Sequence, residues 1–291
     1  MAYESSAPPF LRALRPPAHI VDTLIVERAP KLAATAAWPL LRPMLYGLLD
    51  YAKARRMADA IAPLSGRAAL DFVAALLSVK VCVHGLERVP AKGRLIAVCN
   101  HPTGIADGVA VYQALKAVRP EVVFYANSDA HRVAPRLSEV LIPVEWVEEK
   151  RTRARTRLTL SMTRETMEAE RALVVFPAGR LARKTPGGGA SDPTWASSAF
   201  SVARKYEAEI LPMHLAGPWS ALFHFFHDFS TELRDMTLFH ELLNKRGKTF
   251  SLTIGHPVAP VALPLDAAEA ARAMRDYVER VLPVSPDRPF A

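Results

Sequence analysis

Short apolar stretches, each bounded by glycine, proline or polar residues, alternate with longer helical patterns from about residue 80 onward. The stretches that are typical of buried strands are VKVCVHG, LIAVCN, VVFYAN, EVLIPVEWV, ALVVFPAG, EILPMHLAG and SLTIG. Several of them are followed by apolar positions at helical spacing. This alternation predicts an α/β fold, with a central mostly parallel or mixed sheet that is flanked by helices.

The chain before residue 80 has a helical pattern throughout and is rich in alanine, leucine, arginine and proline. From Trp38 to Leu64, leucines at helical spacing are followed by a cationic stretch, which predicts one amphipathic helix. Such a helix covers the core, contacts a membrane surface, or does both. We therefore expect an N-terminal helical extension over residues 1–80 and an α/β domain over residues 81–291, joined in one unit.

The composition allows an enzyme and points to an anionic partner. The chain has 291 residues with 50% hydrophobic content, which is enough for a large core. Its net charge of +8 favours nucleic acid, an anionic membrane surface or phosphorylated molecules. We find no zinc-ligand spacing, RNA-stacking signature or helix-turn-helix pattern, so we expect no nucleic-acid partner.

Several features favour the cytoplasm. The apolar runs are too short for a membrane-spanning helix, and the N-terminal residues lack the charged start and apolar core of a secretory signal. Cys82 and Cys99 both lie in apolar, strand-like stretches, which suits buried thiols better than a disulfide or a metal site.

A histidine and a carboxylate bracket the turn after the stretch LIAVC. His101 follows this predicted strand, and Asp107 stands six positions later, where a helical pattern begins. An imidazole can accept a proton from an attacking hydroxyl, and a carboxylate on its other nitrogen orients it. We find no Gly-x-Ser-x-Gly elbow and no cysteine in a comparable turn, so His101 would activate a hydroxyl of the substrate. The alternative is a helix cap with a structural polar contact.

A second strand ends in the stretch VVFPAGRLARK. Backbone amides near Ala178 and Gly179, beside Arg180, Arg183 and Lys184, suit a phosphate or a developing oxyanion. The alternative is a set of solvated surface cations.

Together, NHPTGIADG and FPAG resemble the motifs of the glycerolipid acyltransferase superfamily, which is related to bacterial 1-acylglycerol-3-phosphate acyltransferase and has His-x-x-x-x-Asp and Phe-Pro-Glu-Gly motifs. EILPMHLAG resembles a third block, which would bring Leu211, Pro212 and Gly217 near the site. The similarity runs from about residue 80 to about residue 260. GPWSALF and ELLNKRGKTFSLTIGHPV are similar to the branch of hemolysin-like and ornithine-lipid acyltransferases.

The resemblance implies an O-acyltransferase that moves a fatty acyl group from acyl-CoA or acyl-carrier protein to a lysolipid of the lysophosphatidate or lyso-ornithine-lipid type. His101 would be the general base, and Asp107 would orient it. The residues implied in substrate binding are Asn100, Thr103, Gly104, Ala178, Gly179, Arg180, Arg183 and Lys184. No metal or prosthetic group is implied. The protein would act on the inner face of the cytoplasmic membrane, with an anionic membrane surface as a partner.

The sequence departs from the family pattern in its spacing and its charges. Five residues separate His101 from Asp107 instead of four, Ala178 replaces the glutamate of Phe-Pro-Glu-Gly, and Glu145 stands near the position of a family arginine. Acceptor binding would then fall on the cations after Gly179, and a carboxylate head group becomes an alternative to a phosphate. If the longer turn separates the histidine from the aspartate, the alternative is a catalytically silent lipid- or acyl-carrier-binding protein.

Two further patterns have open interpretations. HFFHD places His224, His227 and Asp228 at helical spacing, but no third metal ligand with zinc spacing is evident. The arginines at positions 151, 153, 155 and 157 would contact lipid head groups if the segment were extended, and would scatter around the axis of a helix.

Overall fold

A computed structural model describes residues 18–145, 152–185 and 189–291. All seven stretches predicted as strands are strands of one mixed sheet, which confirms the α/β class. They are β1 (Lys80–His84), β2 (Leu95–Cys99), β3 (Val123–Asn127), β4 (Leu141–Val144), β5 (Ala172–Val175), β8 (Glu209–Ala216) and β9 (Thr249–Ile254). A separate two-stranded ribbon consists of β6 (Arg183–Lys184) and β7 (Ala190–Ser191).

The strand order is β1-β9-β8-β2-β5-β3-β4. The five strands from β8 to β4 run parallel, whereas β9 is antiparallel to β8 and parallel to β1. Every residue of β2 and β5 is buried, which explains why these strands read as continuous apolar runs. The carboxyl ends of β8, β2 and β5 therefore lie side by side at one edge of the sheet.

Helices cover both faces of the sheet. In chain order they are α1 (Ile20–Arg28), α2 (Pro30–Ala33), α3 (Trp38–Leu48), α4 (Tyr51–Ile61), α5 (Gly66–Leu77), α6 (Ile105–Leu115), α7 (Asp129–Val133), α8 (Arg153–Glu168), α9 (Ser198–Tyr206), α10 (Ala221–His227), α11 (Thr231–Met236), α12 (Leu238–Leu243) and α13 (Ala267–Asp276). Short 3₁₀ turns span Leu86–Arg88, Pro135–Glu139 and Pro260–Ala262, and a π-helical turn, Tyr277–Val281, extends α13.

Alternate residues of β2 point into different cores. Leu95 and Ala97 join a cluster with α1, α3 to α6 and α12, whereas Ile96 and Val98 join a second cluster with α9 and α13. The helices that precede β1 thus share a core with the sheet.

A buried arginine joins the loops that lead into the two central strands. Arg119 is 1% exposed, and its guanidinium donates to the carbonyls of Pro90, Gly93 and Glu170. The first two residues precede β2 and the third precedes β5, so this side chain holds the amino ends of both strands together.

The single helix predicted from Trp38 to Leu64 is two helices, α3 and α4. The break lies at Asp50, which has a left-handed backbone (φ 56°) and whose carboxylate contacts Lys53 and His240. The expected covering of the core is present, since Leu45 and Leu49 are buried. Another side of α3 is open to solvent, with Leu40 82%, Met44 64% and Leu48 49% exposed.

Within the described residues, no helix combines the length and the apolar character that crossing a bilayer requires. The N-terminal residues 1–17 and Arg151, on which two of the sequence interpretations partly rest, lie outside the described residues. The other arginines of that set lie in α8, all exposed and spread around its axis.

Candidate functional site

The turns that follow β2, β5 and β8 meet at one edge of the sheet. His101 lies two residues after β2, Phe176 directly follows β5, and Gly217 directly follows β8. Since these strands are parallel neighbours, their carboxyl ends form the kind of crevice where open α/β sheets bind ligands.

His101 and Asp107 are in contact across the turn. The distance from His101 Nδ1 to Asp107 Oδ2 is 2.9 Å, and the Asp107 side chain is fully buried, while that of His101 is 17% exposed. Gly104 takes a positive φ of 98° between them, which lets the turn accommodate five intervening residues. The contact expected of the pair is therefore present despite the longer spacing.

The carboxylate of Asp107 is surrounded by donors at the start of α6. Its Oδ2 accepts the amide hydrogens of Thr103 (2.9 Å) and Gly104 (3.1 Å), and its Oδ1 accepts the hydroxyl of Thr103. Asp107 is the third residue of α6, where a negative charge is favoured by the helix dipole. These three donors, with Nδ1 of His101, converge on a carboxylate that acts as an acceptor.

This arrangement assigns the imidazole tautomer. The carboxylate of Asp107 accepts a hydrogen bond from Nδ1–H of His101, so Nε2 carries the lone pair of the neutral ring. The ring of Phe176 packs against the imidazole with centroids 4.6 Å apart. The pair can thus take a proton at Nε2 and stabilise the imidazolium that results.

Two residues expected to bind substrate have their side chains bonded to protein groups. Asn100 is buried, and its side chain forms two hydrogen bonds with the backbone of Leu215. Nδ2 of Asn100 donates to the carbonyl oxygen of Leu215 at 2.9 Å, and Oδ1 of Asn100 accepts the amide hydrogen of Leu215 at 2.6 Å. Thr103 is buried as well and donates to Asp107. Asn100 therefore fastens β2 to β8, and Thr103 supports the carboxylate.

In the turn after β5, the amide of Gly179 was expected to suit a phosphate or an oxyanion, and it forms a hydrogen bond within the turn. Gly179 has a φ of 62°, and its N–H donates to the carbonyl of Phe176 at 3.0 Å. That amide hydrogen is therefore used within the turn itself. Ala178 is half-buried and packs at the edge of the core cluster that contains α9 and α13.

The predicted cations lie together. They line a groove of about 470 Å³, which we call the basic groove and whose lining is Arg180, Arg183, Lys184, Thr185, Ser191, Asp192, Pro193 and Arg275. The side chains of Arg180, Arg183 and Lys184 are exposed. Lys184 also approaches Asp228 at 3.8 Å.

Close packing joins the third turn to the first. A Cβ on Gly217 would lie 2.7 Å from a side-chain carbon of Thr103 and 2.7 Å from the ring of Phe250. Gly217 thus lies beside the site, as expected from the third sequence block. The short distances leave no room for a side chain at this position.

The two histidines of the HFFHD stretch contact other side chains of the protein. His224 is buried and stacks on Trp219 with centroids 4.0 Å apart, and His227 Nδ1 contacts Arg234 at 3.0 Å. No group of three or more histidine, cysteine, aspartate or glutamate side chains that could hold a metal occurs in the part of the chain that the structure describes.

Sequence reasoning missed a second carboxylate at the site. Asp192 is 3% exposed, and its side chain accepts the amide hydrogen of His101, 91 residues earlier, at 3.0 Å. Burial raises the pKa of Asp192 to about 6. No local pattern in SDPTW marks this residue, because the contact forms only when the ribbon of β6 and β7 folds beside the turn.

The site region matches known acyltransferases. Residues 80–216 match the family model described as acyltransferase. A lyso-glycine lipid O-acyltransferase of Phocaeicola vulgatus is 29% identical over 198 residues, covering 65% of this chain and 69% of the relative. A lyso-glycine lipid O-acyltransferase of Bacteroides thetaiotaomicron is 26% identical over 198 residues, covering 65% and 71%. The solved 1-acyl-sn-glycerophosphate acyltransferase PlsC of Thermotoga maritima aligns with 92% of this chain and 98% of its own at 15% identity, with a TM-score of 0.47.

The buried acceptor at the start of α6 gives a stability prediction. Asp107→Asn turns an amide NH₂ toward groups that are themselves donors, so we expect the free energy of unfolding to fall by about 2–3 kcal/mol. Urea unfolding measures this loss. Asp71→Asn is the matched control, because Asp71 is half-exposed and accepts hydrogen bonds from Tyr112 and Lys116. We expect this control to change by less than about 1 kcal/mol, and equal losses in the two variants would contradict the prediction.

Proposed function

We propose that this chain is a member of the glycerolipid acyltransferase superfamily and that it transfers a fatty acyl group from a thioester donor to the hydroxyl of a lysolipid. The observation that carries this proposal is the 2.9 Å contact between His101 Nδ1 and the buried carboxylate of Asp107 at the open edge of the sheet. It is the geometry of a base held by an orienting acid.

In the proposed reaction, His101 Nε2 takes the proton of the acceptor hydroxyl while the hydroxyl oxygen attacks the thioester carbonyl carbon. The tetrahedral intermediate then collapses, the carbon–sulfur bond breaks, and the leaving thiolate receives the proton from the imidazolium. Asp107 stabilises the imidazolium between these steps. Proton transfer by a positioned base accounts for roughly 10²–10⁴ in rate.

The acceptor's head group is proposed to bind in the basic groove. Three exposed cations and Arg275 line this groove, and Asp192 in its wall contacts the His101 backbone, so the groove adjoins the base. Planar guanidinium groups pair with carboxylate and phosphate alike. Both relatives are named for lyso-glycine lipid, which favours an amino-acid lysolipid over lysophosphatidate.

The donor is proposed to be acyl-CoA or acyl-carrier protein. Both carriers are anionic, which suits a chain with a net charge of +8. The reaction as written needs no metal and no prosthetic group, since the thioester itself supplies an activated carbonyl.

Contact with an anionic membrane surface is proposed to occur through α3. Leu40, Met44 and Leu48 recur at every fourth position and are all exposed, which forms an apolar stripe. The exposed cations Lys53, Arg55 and Arg56 follow in α4. An apolar stripe with neighbouring cations is the pattern of a peripheral helix, and it would place the enzyme on the inner face of the cytoplasmic membrane.

Transfer of a radiolabelled acyl group tests the proposed activity. Acyl-CoA and acyl-carrier protein are each combined with lyso-glycine lipid, lyso-ornithine lipid and lysophosphatidate. We expect diacyl product with wild type and a loss of kcat of at least about 100-fold in His101→Ala. His256→Ala, which removes an exposed histidine, is the control and should match wild type. No product with any pair, despite binding to lipid vesicles, would favour a silent lipid- or carrier-binding protein.

Removing two cations tests the role of the basic groove. We expect Arg183→Ala/Lys184→Ala to raise KM for an anionic acceptor about tenfold or more with little change in kcat, because a charge-assisted hydrogen bond contributes about 1.5–3 kcal/mol. Arg157→Ala removes an exposed arginine of α8 and should leave KM unchanged. An unchanged KM in the double variant would place the head group elsewhere.

Substitution of the apolar stripe tests membrane contact. Burying a leucine or methionine side chain contributes about 1.5–3 kcal/mol, so Leu40→Ser/Met44→Ser should weaken cosedimentation with anionic vesicles more than tenfold. Val261→Ser/Leu265→Ser is the matched control, since both residues are 94% exposed but lie outside α3. Equal weakening by the two double variants would contradict a specific role for α3.

A further inference from the structure

We propose that Asp192 is a positioning residue, whose carboxylate holds the main chain of His101 so that Nε2 faces the acceptor hydroxyl. This inference rests on the proposed function, in which His101 is the base. It concerns a residue that lies outside both sequence motifs and that touches the histidine backbone instead of the reacting atoms.

Both carboxylate oxygens of Asp192 take part in the contact. The amide nitrogen of His101 lies 3.0 Å from Oδ1 and 3.2 Å from Oδ2, and Trp195 Nε1 donates to Oδ2 at 2.9 Å. A hydrogen bond to an ionised acceptor is stronger than one between neutral groups. The carboxylate thus binds two donors that are distant from each other in the sequence, the amide of His101 and the indole of Trp195.

His101 is held at three atoms. Asp192 accepts its amide hydrogen, the amide of Ala182 donates to its carbonyl at 2.9 Å, and Asp107 holds Nδ1. The first two contacts come from the segment after β5, so this segment fixes the backbone from which the imidazole projects. A reactive group that is misplaced by about 1 Å loses roughly 100-fold in rate.

The C-terminal part of the chain holds Asp192 in turn. The Asp192 amide donates to Glu279 Oε1 at 2.6 Å, and Arg275 donates to the Asp192 carbonyl and to Ser191 Oγ. Ser191 Oγ also donates to Glu279 Oε2 at 2.7 Å. A chain of hydrogen bonds thus connects the end of α13 to the backbone of His101.

The protonation state of Asp192 changes within a pH range in which activity can be measured. Burial raises its pKa to about 6, opposed by the bonds from His101 and Trp195 and supported by the nearby charge of Glu279. The charged groups that act on it are His101 and Glu279, and Arg275, Arg180, Arg183 and Lys184 line the same groove. Because its folded-state pKa lies above the ordinary value, stability decreases as the pH rises from about 4 to about 6, and the loss stays constant at higher pH. The fold nevertheless keeps a buried carboxylate in contact with the base, which is typical of a functional position.

Neutral side chains at position 192 would lose one of the two contacts. An asparagine offers one acceptor oxygen, and its NH₂ group faces the other donor, either the His101 amide or Trp195 Nε1. A protonated aspartate has the same defect, since one oxygen becomes a donor. Wild type at low pH should therefore behave like Asp192→Asn.

Rate profiles against pH test this inference. At pH 8 we expect Asp192→Asn to lower kcat about 10–100-fold with KM changed less than threefold, because the base is displaced while the groove cations remain. The wild-type and Asp192→Asn profiles should converge below about pH 5, where both side chains are neutral. Asp71→Asn, the carboxylate control outside the site, should follow wild type at every pH. A constant ratio between wild type and Asp192→Asn across the pH range would overturn the proposal.

Hydrogen exchange gives a second readout that does not depend on activity. In Asp192→Asn, the amide of His101 loses its carboxylate acceptor, so a peptide that covers residues 99–104 should exchange at least threefold faster, with other segments unchanged. Unchanged exchange there would overturn the proposal even if kcat fell. An inactive wild type, or an active His101→Ala, would overturn the proposed function instead, and the exchange result would still decide whether Asp192 holds the turn.

Discussion

The site is organised around the hydrogen-bond donors that the buried carboxylate of Asp107 requires. Asp107 has no access to water, so its oxygens require partners from the protein. Thr103, Gly104 and His101 provide them, in a turn where Gly104 has a positive φ. The same contacts that satisfy the charge also determine which imidazole nitrogen keeps its lone pair. Folding and chemistry therefore depend on the same hydrogen bonds.

The sheet topology brings the remaining parts to this carboxylate. Because β2 lies between β8 and β5, with all three parallel, three turns that are distant in sequence meet at one edge. Asn100 links β2 to β8 at this edge, and Arg119 links the entries of β2 and β5 at the other. The turn that carries His101 is thus anchored on a scaffold that is constrained at both ends, which suits a base that must hold its direction.

The sequence predicted the features that rest on local or repeated patterns. Strands buried on both faces read as continuous apolar runs, and His101 and Asp107 were visible because they bracket one turn. The break at Asp50 was not visible, since the left-handed residue is supported by His240, 190 positions away. Residue spacing also does not encode the contact of Asp192 with His101, which depends on tertiary packing. The hydrogen bond from the Gly179 amide to the carbonyl of Phe176 depends on the exact backbone geometry of the turn.

The hydrogen bonds from Arg275 and Glu279 to the segment at Asp192 relate the site to the order of synthesis. His101, Asp107 and all the central strands leave the ribosome before the chain reaches α13. A nascent chain at that stage already contains His101, Asp107 and the turn after β5. The hydrogen bonds from Arg275 and to Glu279 that hold Asp192 have not yet formed. The contacts that hold Asp192 against the histidine backbone are therefore complete only when α13 packs beside the ribbon.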